Sequence, residues 1–323
     1  MAASSTTVAS AGPARPAPSY LQRLRGGDEI AYVITFIAAA GILLITALLV
    51  FELYINSSLS RAKFGWNFLF TSTWDPVNDQ FGALPFIYGT VVTSFLALLI
   101  AVPLGVGAAI FLAEMAPPKI SDALTFLIEL LAAVPSVIFG LLGIFVLVPI
   151  LRLIEPALRV LLGWTPLFSG PFYGVSLFSA GVVMSVMIVP FIISISREVI
   201  LSVPGDQREA ALALGATRWE TTWNVVLPYA KKGIMGSIFL ALARALGETM
   251  AVTMVVGNDP KIKASLFAPG YSIAAVIANE FTEATGQLYT NALIELGLVL
   301  FALTIVINGL ARLMVMGSDK YKA

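Results

Sequence analysis

The sequence predicts an all-α integral membrane protein with six transmembrane helices, on three observations. Charged residues make up only 12% of its 323 residues and hydrophobic ones 58%, whereas a soluble globular chain is about 25% charged. Six apolar runs are each long enough to cross a hydrocarbon core, which takes about 20 residues. Between the fourth and fifth runs lies a charge-rich island, residues 206–233. It belongs in water, because each exposed charge would cost roughly 2.5–3.5 kcal/mol at the bilayer centre.

Residues 30–51 carry no charge and form the first span. Residues 81–113 are uncharged, with Pro85 near their start. The third run, 130–151, is expected to begin earlier, near Ser121, with Glu129 inside it. Residues 160–196 are also uncharged; Trp164, Pro166, Gly170 and Pro171 mark their first part as an interfacial loop and leave 173–196 as the fourth span. The fifth, 233–258, is apolar apart from Arg244 and Glu248, and the sixth, 284–311, apart from Glu295. An even number of spans puts both termini on one side. The excess of Lys and Arg in the segments facing that side makes it cytoplasmic by the positive-inside rule. Trp66, Phe68, Trp74 and Phe81 in the outer loop fit an aromatic interfacial belt. Residues 1–29, rich in Ala, Ser, Thr and Pro, read as a disordered cytoplasmic tail, a composition shared with organellar transit peptides. Residues 30–315 then form one six-helix membrane domain, and 316–323 a short second cytoplasmic tail.

Composition also excludes chemistry. There is no cysteine and no histidine, so disulfides, thiolate nucleophiles, Cys- or His-bound metals and His-based triads are ruled out. The net charge is zero, which gives no reason to expect nucleic-acid binding. No lysine is followed by Ser or Thr, so the chain lacks the Gly-Lys-Ser/Thr of a P-loop. No catalytic, metal or cofactor site is expected.

The island is an ordered one. Asp206 precedes Glu209, and Thr217 precedes Glu220, each at the spacing of a capping box. Gly215 between them suits a helix terminator, and Pro228 is expected to mark the far end. This is a short helix, a turn and a second short helix outside the membrane. Ala210, Ala211 and Leu214 give it a thin apolar edge, ringed by Arg208, Glu209 and Arg218.

From Glu209 the order is Glu-Ala-Ala, three residues, Gly215, nine residues, Val225, one residue, Leu227-Pro228. This resembles the EAA loop of ABC importer permeases, E-A-A-x3-G-x9-I-x-L-P, departing only in Val225 for Ile. Three further segments are more specific: Phe81-Gly-Ala-Leu-Pro-Phe-Ile-Tyr-Gly-Thr90, Glu129-Leu-Leu-Ala-Ala-Val-Pro-Ser136 and Arg244-Ala-Leu-Gly-Glu-Thr-Met-Ala251. They resemble the C-type permeases of phosphate-specific (Pst) importers, over about residues 30–315. The resemblance implies a type I, MetI-like ABC permease architecture in a bacterial-type inner (plasma) membrane. It implies that Glu209, Ala210, Ala211, Gly215, Leu227 and Pro228 belong to a loop docking a cytoplasmic ATPase dimer (B-type). It further implies a second, A-type permease subunit and an extracytoplasmic phosphate-binding protein. Apart from these, only membrane lipid is an expected partner, and the chain itself is not expected to be an enzyme.

Arg244 and Glu248 stand four residues apart, which on one continuous helix places them on one face near mid-membrane, able to pair. Intramembrane charges usually mark a translocation path, and the resemblance assigns both residues to phosphate translocation. A self-neutralising structural pair is the alternative. Glu129 and Glu295 are weaker candidates, and Thr249, Thr253 and Ser136 suit helix packing better. Two functional alternatives stay open: a permease for another oxyanion, such as molybdate or sulfate, and a secondary transporter driven by an ion gradient, which would need no docking loop.

Overall fold

The computed structural model describes residues 28–319; the expected tails, 1–29 and 316–323, lie outside the described residues except at 28–29 and 316–319, which continue the first and last helices. Every regular element among the described residues is helical, apart from isolated bridges at Asp75–Gln80 and Gly257–Gly270. Six helical segments are long and apolar enough to cross a membrane: Glu29–Asn56, Leu84–Met115, Ser136–Leu162, Leu177–Leu201, Arg218–Leu246 and Gln287–Leu313.

The chain divides into two compact units at Glu52 and Leu53. The first contains most of α1 (Asp28–Asn56), whose apolar side chains, Ile30, Phe36 and Leu43 among them, point outward around its whole circumference. A helix apolar all round is suited to hydrocarbon rather than to water.

In the second unit, α2 (Ser58–Phe64) and α3 (Asn67–Phe70) lead into α4 (Leu84–Ile110). Next come α5 (Pro118–Ala132), α6 (Ser136–Leu142), α7 (Val148–Leu162) and α8 (Leu177–Leu201). The rest are α9 (Gly205–Ala213), α10 (Arg218–Thr221), α11 (Leu227–Leu246), α12 (Met250–Val255), α13 (Ile273–Glu280) and α14 (Gln287–Asp319). The backbone of the bundle is the long pairing of α4 with α8, against which α11 also packs. Small residues make the approach close: a Cβ on Gly105 would meet Ile192 Cγ2 at 2.8 Å, and one on Gly181 would meet Leu96 Cδ2 at 2.6 Å. Buried Ala97, Ala101, Ala180, Ala241 and Ala245 extend this seam, as expected where packing rather than water exclusion drives helix association. Ser196 and Ser237 hydroxyls bond at 2.8 Å across α8 and α11.

Three wide π turns interrupt the helices, at Phe111–Met115, Gly143–Leu147 and Thr222–Val226. In each, the residue just past the turn donates its N–H five residues back: Ala116 to Phe111, Val148 to Gly143 and Leu227 to Thr222. The next residue is a proline every time, Pro117, Pro149 or Pro228. Proline has no N–H to donate and its ring crowds the carbonyl four residues earlier; a widened turn moves that carbonyl aside. Pro228 therefore does not end the second island helix. The chain passes through it, and α10, the π turn and α11 form one rod, Arg218–Leu246.

Two other boundaries differ from expectation. The third span starts at Ser136, not near Ser121, because Pro135 breaks the chain (φ −57°, ψ 140°) between α5 and α6. Glu129 thus lies on α5, outside that span. The helix that carries the fifth span begins at Arg218, within the island, and stops at Leu246, with Gly247 at its C-cap.

The loop at 52–84, expected to be an interfacial belt, is a packed core. Phe68 and Phe81 are fully buried, and Trp74 sits edge-on to Phe81 and Phe86 at 4.9 and 4.8 Å. Tyr289 stacks on Phe81 at 5.3 Å. Trp74 Nε1 and the Tyr289 hydroxyl both donate to Glu280, at 2.9 and 2.6 Å. Only Trp66 of the expected belt is largely exposed. Beside this core the segment before α13 crosses α4: Ile273 N donates to Thr90 Oγ1 at 2.9 Å, and Tyr271 presses its backbone carbonyl onto Gly89. Burial pushes the Tyr271 phenol up to about 12, so it stays protonated.

Candidate functional site

The island folds as two helices joined by two matched caps. α9 starts at Gly205 after extended Pro204, with no side-chain cap. Asp206 is inside the first turn, so the expected Asp206–Glu209 capping box does not form; the proline turns the chain into the helix before Asp206 is reached. Its carboxylate still favours the helix dipole there. At the other end, Ala216 N bonds Ala211 O at 3.2 Å and Gly215 N bonds Leu212 O at 3.0 Å. This is a Schellman motif, and it needs the left-handed φ of +90° that Gly215 supplies. The second box forms as expected. Thr217 Oγ1 accepts from Glu220 N at 3.3 Å, and Glu220 Oε2 accepts from Thr217 N at 2.8 Å. Thr217→Ala is expected to cost about 1 kcal/mol locally, read as about fivefold faster amide hydrogen exchange over 218–221. Unchanged exchange would contradict the cap.

Glu209, Ala210, Gly215 and Pro228 are exposed, and Ala211 and Leu227 are half-buried. Leu214 is 90% exposed at the tip. Sequence reasoning missed two other parts of the island. Trp219 and Trp223 stack at 5.7 Å with both indoles exposed; their i, i+4 spacing was a readable signal. Arg208, expected in the outer ring of charge, turns inward instead. It meets Glu114 at 2.8 Å and donates to Ile200 O at 2.8 Å and to Val203 O. Glu114 lies far from it in sequence, so no local pattern reveals the pair.

The charged pair of the fifth span is arranged differently from expectation. Arg244 lies in the last turn of α11 and Glu248 beyond the helix end, so they do not share one continuous helical face. No ion pair joins them among the described residues. Glu248 Oε1 instead accepts from Ala251 N at 3.2 Å, capping α12 after the interruption. Arg244 is exposed on the bundle surface, with its guanidinium carbon 5.6 Å from the Phe191 ring centroid. Thr249 and Thr253 hydroxyls donate to Gly247 O and Thr249 O, at 3.3 and 2.7 Å, and so brace the interruption.

The interruption at 247–249 has a counterpart at 133–135, and the short helices that follow them, α12 and α6, pack together. A Cβ on Gly140 would meet Met254 Sδ at 2.5 Å and Ala251 Cα at 3.3 Å, so any larger residue there would have to displace the Met254 side chain. The short helices that follow two of the three segments singled out in the sequence thus meet at this crossing. The third, around Phe81–Thr90, builds the aromatic core with Trp74 and Tyr289.

The remaining acids separate. Glu129 is exposed on α5. Glu295 is only 6% exposed on α14 and faces Ser60 and Arg61 of α2, which ties it to helix packing. No group of acidic, His or Cys side chains among the described residues could hold a metal ion.

Residues 101–316 match the family described as "Binding-protein-dependent transport system inner membrane component". A protein of Mesorhizobium japonicum named "Phosphate transport system permease protein PstC" is 47% identical over 90% of this chain and 91% of its own length. One of the same name from Pasteurella multocida is 47% identical over 86% of this chain and 88% of its own. In fold, the chain is similar to a bacterial ABC transporter involved in the import of the acidic polysaccharide alginate, with a TM-score of 0.58 at 17% identity, covering 91% of this chain and 99% of that one. This multi-pass membrane chain belongs to the binding-protein-dependent transport system inner membrane component family, with PstC permeases as its relatives.

Proposed function

We propose that this chain is a permease subunit of an ATP-driven importer of inorganic phosphate. Residues 30–315 form its permease domain, with both termini cytoplasmic. A second permease subunit of similar kind completes the translocation path, an ATPase dimer grips the loop at 206–233 through Glu209, Ala210, Ala211, Gly215, Leu227 and Pro228, and an extracytoplasmic binding protein delivers the anion. The chain makes and breaks no covalent bond; ATP is hydrolysed on the partner, and alternating access follows here.

The observation that carries this reading is the state of Arg244. It is a cation on an open face, next to a helix interruption, with no carboxylate partner among the described residues. Uncompensated cations in membrane helices are rare and mark ion paths, and interrupted backbone at membrane depth is tolerated where it lines a cavity or is buried in protein. Glu248 adds a negative charge beside the path, which keeps an anion from binding too tightly to leave. The relatives' names, phosphate transport system permease proteins, supply the substrate.

The test is uptake of labelled phosphate, sulfate and molybdate by membranes carrying the whole complex, with and without the ATPase subunit. Phosphate uptake is expected to exceed that of the other two and to vanish without the ATPase. Preference for sulfate or molybdate would overturn the substrate, and uptake persisting without the ATPase would indicate a gradient-driven carrier.

A further inference from the structure

We propose that Arg208 is the positioning residue that transmits movement of the 206–233 loop to the membrane helices. The proposal rests on the reading that an ATPase grips this loop. Its neighbour Glu209 is exposed toward the solvent, whereas Arg208 points the other way and joins three separate pieces of chain. Nε and one terminal nitrogen reach Glu114 Oε1 at 3.2 and 2.8 Å. The same terminal nitrogen reaches Ile200 O at 2.8 Å, and the other one reaches Val203 O.

Each acceptor is a helix end. Glu114 lies in the π turn that closes the second span, and Ile200 and Val203 lie at and just past the end of α8. The last carbonyls of a helix have no partner in its regular i to i−4 pattern; Ile200 O accepts from Val203 N at 3.3 Å, and the guanidinium adds a charged donor to it. The side chains of Arg208 and Glu114 are 22% and 12% exposed, so the bond is shielded and charge-assisted.

This joint matters because α9 has no buried side chain of its own. Its own packing is against α10 and the π turn at Thr222–Val226, whereas Arg208 bolts it to the ends of α4 and α8, the pair at the centre of the fold. A pull on the exposed side of α9 therefore reaches both helices through one rigid, planar group. Lysine cannot replace it, since a single ammonium does not present a fork of donors to three acceptors.

The test uses proteoliposomes holding the complete complex with its ATPase and binding protein. Arg208→Lys and Glu114→Gln are each expected to lower phosphate moved per ATP hydrolysed about tenfold, with hydrolysis itself within about twofold of the unaltered complex. The ATPase should still co-purify. The double variant is expected to be no worse than either single one, because both remove the same joint. Loss of the ATPase on purification, equal falls in uptake and hydrolysis, or a multiplied loss in the double variant would each overturn the proposal. Glu114→Gln is nearly isosteric and keeps a folded reference if the arginine variant fails to assemble. If the unaltered complex shows no ATP-driven phosphate uptake, the importer reading fails first and takes this proposal with it.

Discussion

Arg244→Ala is expected to reduce ATP-driven phosphate uptake about a hundredfold, the scale on which removing one charge from a desolvated ionic contact acts. The subunit should still reach the membrane and co-purify with its partners. Among the described residues, the side chain's recorded contact is the Phe191 ring at 5.6 Å, a cation–π contact worth about 0.5–1 kcal/mol when exposed. Removing it therefore costs the isolated fold little, and the loss must come from the path. Arg244→Lys should recover part of the activity, since the charge remains while the planar fork is lost. Uptake within a few-fold of normal in the alanine variant would remove Arg244 from the path. Disappearance of the subunit from the membrane would assign it to packing instead.

Gly89→Ala is the second large effect, and it acts on the fold. A Cβ there would lie 2.1 Å from the backbone carbonyl oxygen of Tyr271 and 2.8 Å from its carbon. No rotamer change relieves a clash with main chain. The segment before α13 would have to lift off α4, which strains the bond from Ile273 N to Thr90 Oγ1 and disturbs the aromatic core beneath. We expect a loss of about 3 kcal/mol, the upper range for overpacking a tight site, seen as a lower melting temperature in detergent and less subunit in the membrane. Gly107→Ala on the same helix is the control, because nothing beyond its own stretch of helix lies within 4 Å of its Cβ position among the described residues; it should be neutral or slightly stabilising. Equal stability of the two variants would refute the close approach at Gly89.

What could be read from the sequence follows from how local each cause is. The apolar runs, the Thr217–Glu220 box and the turn at Gly215 depend on neighbours within a few residues, and all three are present as expected. Asp206 failed as a cap although its spacing was right, because Pro204 had already set the chain's entry into the helix. Pro135 and Gly247 break helices that hydropathy alone joins, since an apolar count does not register a missing N–H or a cap. Phe68 and Phe81 looked interfacial only while Tyr289 and Phe86 were unknown as neighbours. Arg208 shows the limit most plainly: its partner Glu114 belongs to another span, and composition gave it the wrong side of α9.

The π turn at Thr222–Val226 gives the fifth span a phase shift. A wide turn holds one more residue than the regular screw, and each helical residue advances about 100° around the axis. Side chains before the turn, such as Trp219, and those beyond it, up to Arg244, therefore follow two different windings of one rod. A helical wheel drawn through the whole span points Arg244 the wrong way. The offset lets one unbroken element present one stripe to the loop and another to the bundle, with Pro228 keeping the two out of step.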